Sequence, residues 1–272
     1  MNLIELNSPR PAARRRFRAG VMPVVATAAL VAALVSGCTS SDDSGTTAAP
    51  PSQLPEGTQL VAESAKTTQT LKTVHLNLDV KNLPNLPVEK VSADVTSETE
   101  GSGAAKGEAK VKLTPDAAFT EQEFLVVDKQ LYSKKGAGYV GVGGAEKIYD
   151  PGVILDKDKG LANVIANVKN AKAESRETID GVATVKVTGT IDASVIDPIV
   201  PRVGEAGGTL PITLYIADVA PPTGTASTLP SSASSPGTGP NLVRAVIKKD
   251  DGTVTVTLSN WAKPVKIVKP GS

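Results

Sequence analysis

Apolar and polar residues alternate one for one along much of the chain after residue 73, which predicts the strands of a sheet. In VHLNLDV, residues 74–80, four aliphatic side chains alternate with polar ones. The same period of two appears in AKGEAKVKL, residues 105–113, and in VATVKVTGTI, residues 182–191. Because successive strand residues point to opposite faces, one face is predicted to be dry and the other wet. This pattern is typical of an antiparallel sheet covered on one side.

Shorter runs of the same kind predict further strands. They cover residues 88–100, 120–128, 130–134, 138–143, 171–179, 210–218, 241–249 and 252–262. Asp180-Gly181 and Asp250-Asp251-Gly252 are turn signals of the kind that join hairpin strands. The chain is therefore predicted to form roughly ten strands, joined largely by short connections.

Helical spacing replaces the period of two at the start and in the middle of the chain. Residues 58–71 predict an amphipathic helix with Thr58 as its N-cap. Asp150-Pro151 predicts a helical turn, and residues 161–168 predict a short helix with one apolar side. A further turn, DASVIDPIV, is cut by Pro198. The predicted fold class is therefore α+β: a single domain with one long, curved antiparallel sheet and short helices on its concave face.

Such an arrangement can enclose an aliphatic cavity between the sheet and the helices. Apolar residues make up 40% of the chain but aromatic residues only 3%, so valine, leucine, isoleucine and alanine must form the interior. An aliphatic interior suits alkyl chains better than flat or polar ligands. From the alternation, we predict that the cavity is lined by Val74, Leu76, Leu78, Val80, Ala109, Val111, Leu113, Phe124, Val126, Leu161, Val164, Ile165, Val185, Val187, Ile212 and Leu214.

The first 37 residues have the organisation of an export signal. Five arginines precede an apolar run of about sixteen residues, which is short for a membrane span. The run ends in Val35-Ser36-Gly37-Cys38, an aliphatic residue, two small ones and the only cysteine of the chain, as in a bacterial lipobox. Cys38 is therefore the predicted lipidation site and first mature residue. The alternatives are a membrane anchor helix with a buried cysteine and, for the arginine run, twin-arginine rather than ordinary Sec export.

The composition that follows Cys38 divides the mature chain into a tether and a domain. Residues 38–57 are polar and proline-rich and predict a flexible tether, and residues 58–272 form the predicted α+β domain. Within the domain, a segment at about 219–240 is rich in Pro, Ser, Thr and Gly and predicts a disordered loop. No segment after the signal approaches eighteen uninterrupted apolar residues, so the mature protein is expected to be anchored to a membrane without crossing it.

Charge and residue counts exclude several kinds of chemistry. Without residues 1–37 the formal charge falls from +1 to about −3, which argues against a nucleic-acid partner. A single histidine, His75, on the polar side of a predicted strand, together with the lack of a thiol free for catalysis, leads us to exclude triad chemistry and histidine-rich metal sites. Asp156 begins a sequence like the front of a calcium loop, but the later ligands are missing, so helix capping is the competing explanation. No metal, cofactor or catalytic residue is predicted.

Two further patterns each have a structural and a functional explanation. The glycines of GAGYVGVGG, residues 136–144, resemble a nucleotide loop, but no Lys-Ser/Thr follows, which favours a strand with close-packed backbone. Lys106, Glu108, Lys110 and Lys112 predict a solvated strand face, with a membrane-facing basic patch as the alternative.

Several long blocks of the chain resemble the mycobacterial LppX/LprA/LprF/LprG lipoproteins. They include AEKIYDPGVILDKDKGLANVIANV, AKAESRETIDGVATVKVTGTID, DPIVPRVG, LPITLYIAD and TLSNWAKPV, together with the lipobox and the opening helix. The resemblance implies a non-catalytic α/β domain whose half-open sheet and concave-side helices hold the acyl chains of diacylated or triacylated lipids. It also implies glycolipid or phospholipid partners in the cell envelope.

Together these observations predict an exported lipoprotein on the outer face of the cell membrane that carries acylated lipids between membrane and envelope. A rival hypothesis is a non-catalytic module that regulates a membrane sensor kinase or transporter. An enzyme that uses carboxylates alone is the third alternative, although no pair of acids stands out in the sequence.

Overall fold

The computed structural model describes residues 53–97, 103–112, 114, 116–147, 150–205, 207–219 and 239–271. Cys38, the signal and most of the tether lie outside these residues, as do Leu113 and almost all of the 219–240 loop. The described residues belong to one compact unit that starts at residue 51.

Eleven antiparallel strands form one open sheet within the described part of the chain. The strands are β1 Thr73–Lys81, β2 Val88–Thr96, β3 Ala104–Val111, β4 Thr120–Val127, β5 Gln130–Lys135, β6 Gly138–Gly144, β7 Lys169–Ile179, β8 Val182–Asp192, β9 Thr209–Ala217, β10 Leu242–Lys249 and β11 Gly252–Ser259. Their order is β6-β5-β4-β3-β2-β1-β11-β10-β9-β8-β7, so β6 and β7 form the two edges. The predicted α+β class, with a single domain built on an open antiparallel sheet, is confirmed.

The register of the strands assembles one continuous apolar face. Leu76 of β1 pairs with Ala93 of β2 on one side and with Leu258 of β11 on the other. On the far half of the sheet, Leu214 of β9 lies between Ala245 and Val187 of the neighbouring strands. All these side chains are buried in one hydrophobic cluster, which therefore spans most of the sheet.

A bulge in β2 explains an irregular spacing in the sequence. Val88 and Val91 are three residues apart, yet both are buried, and they pair with Val111 and Ala109 of β3. The register shifts between Val88 and Lys90, so Glu89 is the extra residue. Because a bulge lets two residues of one strand oppose one residue of its partner, the apolar face continues across the irregularity.

The close approach of β2 to Gly107 of β3 indicates that the sheet bends toward its apolar face at this position. A Cβ atom built on Gly107 lies only 2.8 Å from the Cβ of its partner Ala93 and collides with the Ser92 carbonyl. Paired residues in a regular sheet keep their Cβ atoms about 4.5–5.5 Å apart. Glycine therefore permits a bend that a side chain on this face prevents.

In the part of the chain that the structure describes, three α-helices and two 3₁₀ helices accompany the strands. They are α1 Gly57–Gln69, α2 Leu161–Ala166, α3 Ala193–Ile196 and the 3₁₀ helices Ala145–Lys147 and Pro151–Leu155. The prediction that Thr58 is the N-cap of α1 is wrong. The N-cap is Glu56, whose carboxylate accepts the backbone N–H groups of Thr58 and Gln59. These two hydrogen bonds lower the pKa of Glu56, as expected for an acid at a helix N-terminus.

Part of the opposite face is covered by the chain after β11. Ile267 is buried there in a second, smaller cluster with Ala104, Leu125 and Val127. This cluster explains the uninterrupted apolar run Phe124–Val127, in which every residue is buried. The expectation that one face is wholly wet is therefore wrong at this end of the sheet.

Candidate functional site

The apolar layer, defined as the apolar face of the sheet together with the helical side chains packed on it, contains the predicted cavity residues. Ala109 is partly buried against this layer, and Leu113 lies outside the described residues. The other predicted residues are all buried in its main cluster: Val74, Leu76, Leu78, Val80, Val111, Phe124, Val126, Leu161, Val164, Ile165, Val185, Val187, Ile212 and Leu214. The alternation therefore selects one physical surface, while the role of these residues in holding a ligand stays a prediction.

Helix α1 covers the β7–β9 half of the sheet, and α2 packs against α1 and adds its side chains to the layer. Leu60 and Val61 of α1 belong to the main cluster, as do Leu161 and Ile165 of α2. The two helices pack against each other, and α1 also contacts β7 and β9. The start of α1 lies so close to β7 that a Cβ on Gly57 meets the Ala171 carbonyl at 2.8 Å.

The 3₁₀ helix Pro151–Leu155 covers β2 and β3 and carries Ile154 into the layer. This helix is the turn predicted from Asp150-Pro151, and the Asp150 carboxylate caps it by accepting the Gly152 N–H at 2.9 Å. Burial raises the pKa of Asp150, and the Gly152 hydrogen bond opposes this only in part. The cover over this half of the sheet is therefore held partly by a half-buried carboxyl group.

Several members of the layer were missed by sequence reasoning. They are Val91, Ala93, Val95, Ile154, Ile191, Ile196, Ile199, Val200, Val203, Ile216, Leu242, Ala245, Ile247, Val254, Val256 and Leu258. The alternation in β10 and β11 contained the signal for the last six. Residues 196–203 follow no regular period, so only the tertiary structure shows that they are buried. Trp261 packs against the layer and its indole N–H donates to the Leu242 carbonyl at 3.2 Å.

The polar face carries paired charges and a groove. Lys110 donates to Glu89 at 2.6 Å, and Lys134 donates to Glu123 on neighbouring strands. These hydrogen bonds raise the pKa of both lysines. The groove has a volume of about 570 Å³, and all but one of its lining residues are polar. These residues are Asn77, Lys90, Ser92, Glu108, Ala109, Lys110, Glu121, Gln122 and Glu123. A surface of this kind suits water and ions rather than an apolar ligand.

His75 on the polar face is held by two neighbours from β2. Its Nδ1 lies 2.7 Å from Asp94 Oδ1, and its Nε2 lies 3.4 Å from Ser92 Oγ. The sequence argument that a single histidine excludes a Ser-His-Asp arrangement is therefore too strong. Acyl-transfer chemistry also needs donors for an oxyanion, and the backbone N–H groups of these interior strands are used by the sheet ladder. The arrangement is best explained as a cross-strand polar contact.

The weaker sequence signals have structural explanations. Asp156 Oδ1 accepts the N–H groups of Asp158 and Lys159 at 2.9 and 2.8 Å, so this carboxylate stabilises a turn. The glycine-rich segment forms edge strand β6, in which Gly143 has a φ of 131° beside a register shift in the pairing with β5. Nowhere in the described ranges do three or more His, Cys, Asp or Glu side chains form a possible metal site.

The helices that the structure describes are all too short or too polar to cross a membrane. The fold and the apolar layer together define a class of protein, an open antiparallel sheet with one aliphatic face under a few short helices. Within this class, the chain belongs to the LppX/LprAFG lipoprotein family, whose model matches residues 56–267.

The relatives agree with this assignment over nearly the full length. The chain is 48% identical over 263 residues to the putative diacylated glycolipid transporter LprF of Mycobacterium bovis, covering 97% of this chain and 95% of LprF. It is 36% identical over 261 residues to the lipoarabinomannan carrier protein LprG of Mycolicibacterium smegmatis, covering 94% and 99% of the two chains.

Two solved structures share the fold. The crystal structure of Mycobacterium bovis LprF matches with a TM-score of 0.70 and 49% identity, covering 80% of this chain and 100% of that one. Mycobacterium tuberculosis LppX matches with a TM-score of 0.52 and 24% identity, covering 77% and 98%. The predicted family is therefore confirmed. The names of LprF and LprG describe a transporter and a carrier rather than enzymes, so the prediction that the protein is not an enzyme is confirmed as well.

Proposed function

We propose that the protein is an envelope lipoprotein that binds the acyl chains of glycolipids or phospholipids and carries them between the membrane and the cell envelope. The observation that carries this proposal is the apolar layer, an aliphatic surface continuous over most of an eleven-stranded sheet. The names of LprF and LprG as a glycolipid transporter and a lipoarabinomannan carrier support the same class of ligand.

Binding in such a layer is physical rather than chemical. Burying two sixteen-carbon chains contributes roughly 20 to 25 kcal/mol at about 0.8 kcal/mol per CH₂, but a bilayer offers the chains nearly the same. The carrier can therefore take up and release a lipid without a large free-energy change. Selectivity among lipids must come from polar contacts and from the space available to the chains.

A lipid can reach the layer only if part of the cover moves away from the sheet. Leu76 and Ile165, on the sheet and on α2, are both fully buried. Helix α2 has only six residues, Leu161–Ala166, and its N-cap Gly160 makes no side-chain capping hydrogen bond. Although the Asn167 amide caps the other end by donating to the Asn163 carbonyl at 2.8 Å, a helix of this length has little stability of its own, so α2 is the element we expect to open.

The proposal includes a covalent anchor at Cys38. Two acyl chains give stable membrane attachment, whereas one chain gives reversible binding. A flexible tether of nineteen to twenty residues has an end-to-end distance of roughly 20 to 25 Å, which lets the domain clear the lipid headgroups. We place the mature protein on the outer face of the cell membrane.

Native mass spectrometry of the full chain, purified from a mycobacterial host, tests the carrier function. We expect a bound lipid with at least one acyl chain, released by organic solvent and identified by its mass. A preparation without lipid that also fails to take up added diacylated lipid would contradict the carrier function and favour a regulatory module.

Replacement of the cysteine tests the anchor separately. Cys38→Ala should move the protein from the membrane fraction to the soluble fraction, because no thiol remains for the diacylglyceryl group. Lipid uptake by the domain should be unchanged. Retention in the membrane fraction would contradict Cys38 as the anchor, and loss of lipid uptake would contradict the separation of anchor and carrier.

A further inference from the structure

One hydroxyl group lies unpaired within the apolar layer. Ser64 is in the middle of α1, beside Leu60, Val61 and Ala65 on the buried side of the helix, and is 0% exposed. Its Oγ atom has no hydrogen-bond partner. Buried hydroxyl groups are normally paired, so this atom is an exception that requires an explanation.

The other polar groups nearby do not share this property. Thr68, one turn further along α1, is also buried, but its Oγ1 donates to the Ser64 carbonyl at 2.8 Å. The second buried, unpaired side-chain atom among the described residues is Asn241 Oδ1, in the turn before β10, where the same amide donates to the Gly239 carbonyl. Of these two unpaired atoms, Ser64 Oγ is therefore the one that lies in a helix packed on the sheet.

The small size of serine does not explain its presence. Helices α1 and α2 pack against each other, and a small residue allows a close approach. Alanine is just as small, has a higher helix propensity and leaves no polar atom without a partner. A serine here makes the empty protein less stable than an alanine does, which indicates that the hydroxyl serves a ligand.

We infer that Ser64 Oγ donates a hydrogen bond to the ester carbonyl of a bound acyl lipid. This inference rests on the proposed carrier function and assigns a polar contact within the same layer. An acyl chain in a lipid starts at a carbonyl group, so a chain that enters an aliphatic layer brings one acceptor with it. A hydrogen bond in such surroundings is poorly screened, and an alkyl ether has no carbonyl to form it. Ser64 is thus a specificity-determining residue for ester-linked lipids.

Competition between two matched lipids tests this role. The full-length protein is offered equal amounts of dipalmitoylglycerol and the corresponding dihexadecyl ether, and the ratio of the two bound lipids is measured by native mass spectrometry. We expect the wild type to prefer the ester about 5- to 10-fold, the size of one net hydrogen bond. Ser64→Ala should bring this ratio close to one, with an unfolding temperature equal to or above that of the wild type.

Thr68→Val is the matched control, because it removes a buried hydroxyl whose partner lies within the helix. It should keep the wild-type ratio. An unchanged ester preference in Ser64→Ala, or an equal loss in Thr68→Val, would overturn the role of Ser64. If the wild type bound neither lipid, the carrier function itself would fail and this inference with it, so total loading and the lipid ratio distinguish the two failures.

Discussion

Side chains on the two faces of the sheet interact in different ways, and strand β1 contributes to both faces. Leu76 is fully buried in the apolar layer, whereas its neighbour Asn77 lines a polar groove. Contacts on the apolar face are non-directional and depend on volume, while the polar face is organised by pairs such as Lys110 with Glu89. Surface pairs of this kind contribute little to stability.

This difference bears on where function is sought. The polar face contains recognisable arrangements, including His75 with Asp94 and Ser92, but they are half-buried cross-strand contacts. The apolar face contains no motif, only aliphatic residues in register, yet the proposed lipid binding depends on it. The comparison teaches that a carrier of alkyl chains is recognised by a continuous surface and by its covering helices rather than by a constellation of reactive groups.

The largest effect is expected from shortening an aliphatic side chain in the layer. Leu76→Ala should lower the free energy of unfolding by about 3 kcal/mol, because it removes buried contacts and leaves a cavity. Asn77→Ala, the adjacent change on the polar face, should alter it by less than about 0.5 kcal/mol. Urea denaturation of both variants measures the difference. Similar losses in the two variants would contradict the division between the faces.

A smaller effect is expected where the sheet bends. Gly107→Ala should cost about 2 kcal/mol, since the new methyl group overlaps the backbone of β2 on the apolar side. Gly138→Ala in edge strand β6 is the control, because no atom lies within 4 Å of its added Cβ. Thermal unfolding should separate the two. Tolerance of Gly107→Ala equal to that of Gly138→Ala would show that β3 does not need this bend.

Much of this arrangement was predictable from the sequence, and the exceptions have physical causes. The period of two identified β1, β3 and β8 and placed their aliphatic residues on one face. It did not reveal the bulge at Glu89, because an extra residue in one strand is defined only by its partner. It also missed Ile267, since a segment without regular structure becomes recognisable only when its contacts are known. The candidate site was predicted as a set of residues, while unpaired Ser64 could not be distinguished from any other helical serine.

The next prediction concerns lipid binding and compares the two faces by introducing a tryptophan on each. Val111 at the end of β3 is buried on the apolar face, and Glu108 on the same strand is exposed on the other. Val111→Trp should reduce lipid loading about tenfold, equivalent to about 1.4 kcal/mol, by occupying the layer. Glu108→Trp should leave loading unchanged. Native mass spectrometry gives the loading, and circular dichroism checks the fold. Normal loading of Val111→Trp would exclude this end of β3 from the lipid site.

The smallest effect is a pH dependence from the acid on the apolar side. Burial raises the pKa of Asp150 above its ordinary value of 3.8, so its charged form opposes folding. The contribution of Asp150 to stability is therefore full below pH 3.8 and is lost as the pH rises through the raised pKa. Asp150→Asn avoids this loss and keeps an oxygen to accept the Gly152 N–H. It should be more stable than the wild type near neutral pH, by about 0.5 kcal/mol.

The stability difference between Asp150→Asn and the wild type should shrink as the pH falls toward 3.8, which urea denaturation between pH 3.5 and 7 can measure. Asp158→Asn, an exposed change on the loop before α2, controls for the loss of one negative charge. A difference that stayed constant with pH would mean that the Asp150 carboxyl is as well solvated as the acids of the polar face. The two faces would then differ in their aliphatic packing but not in the solvation of their acidic groups.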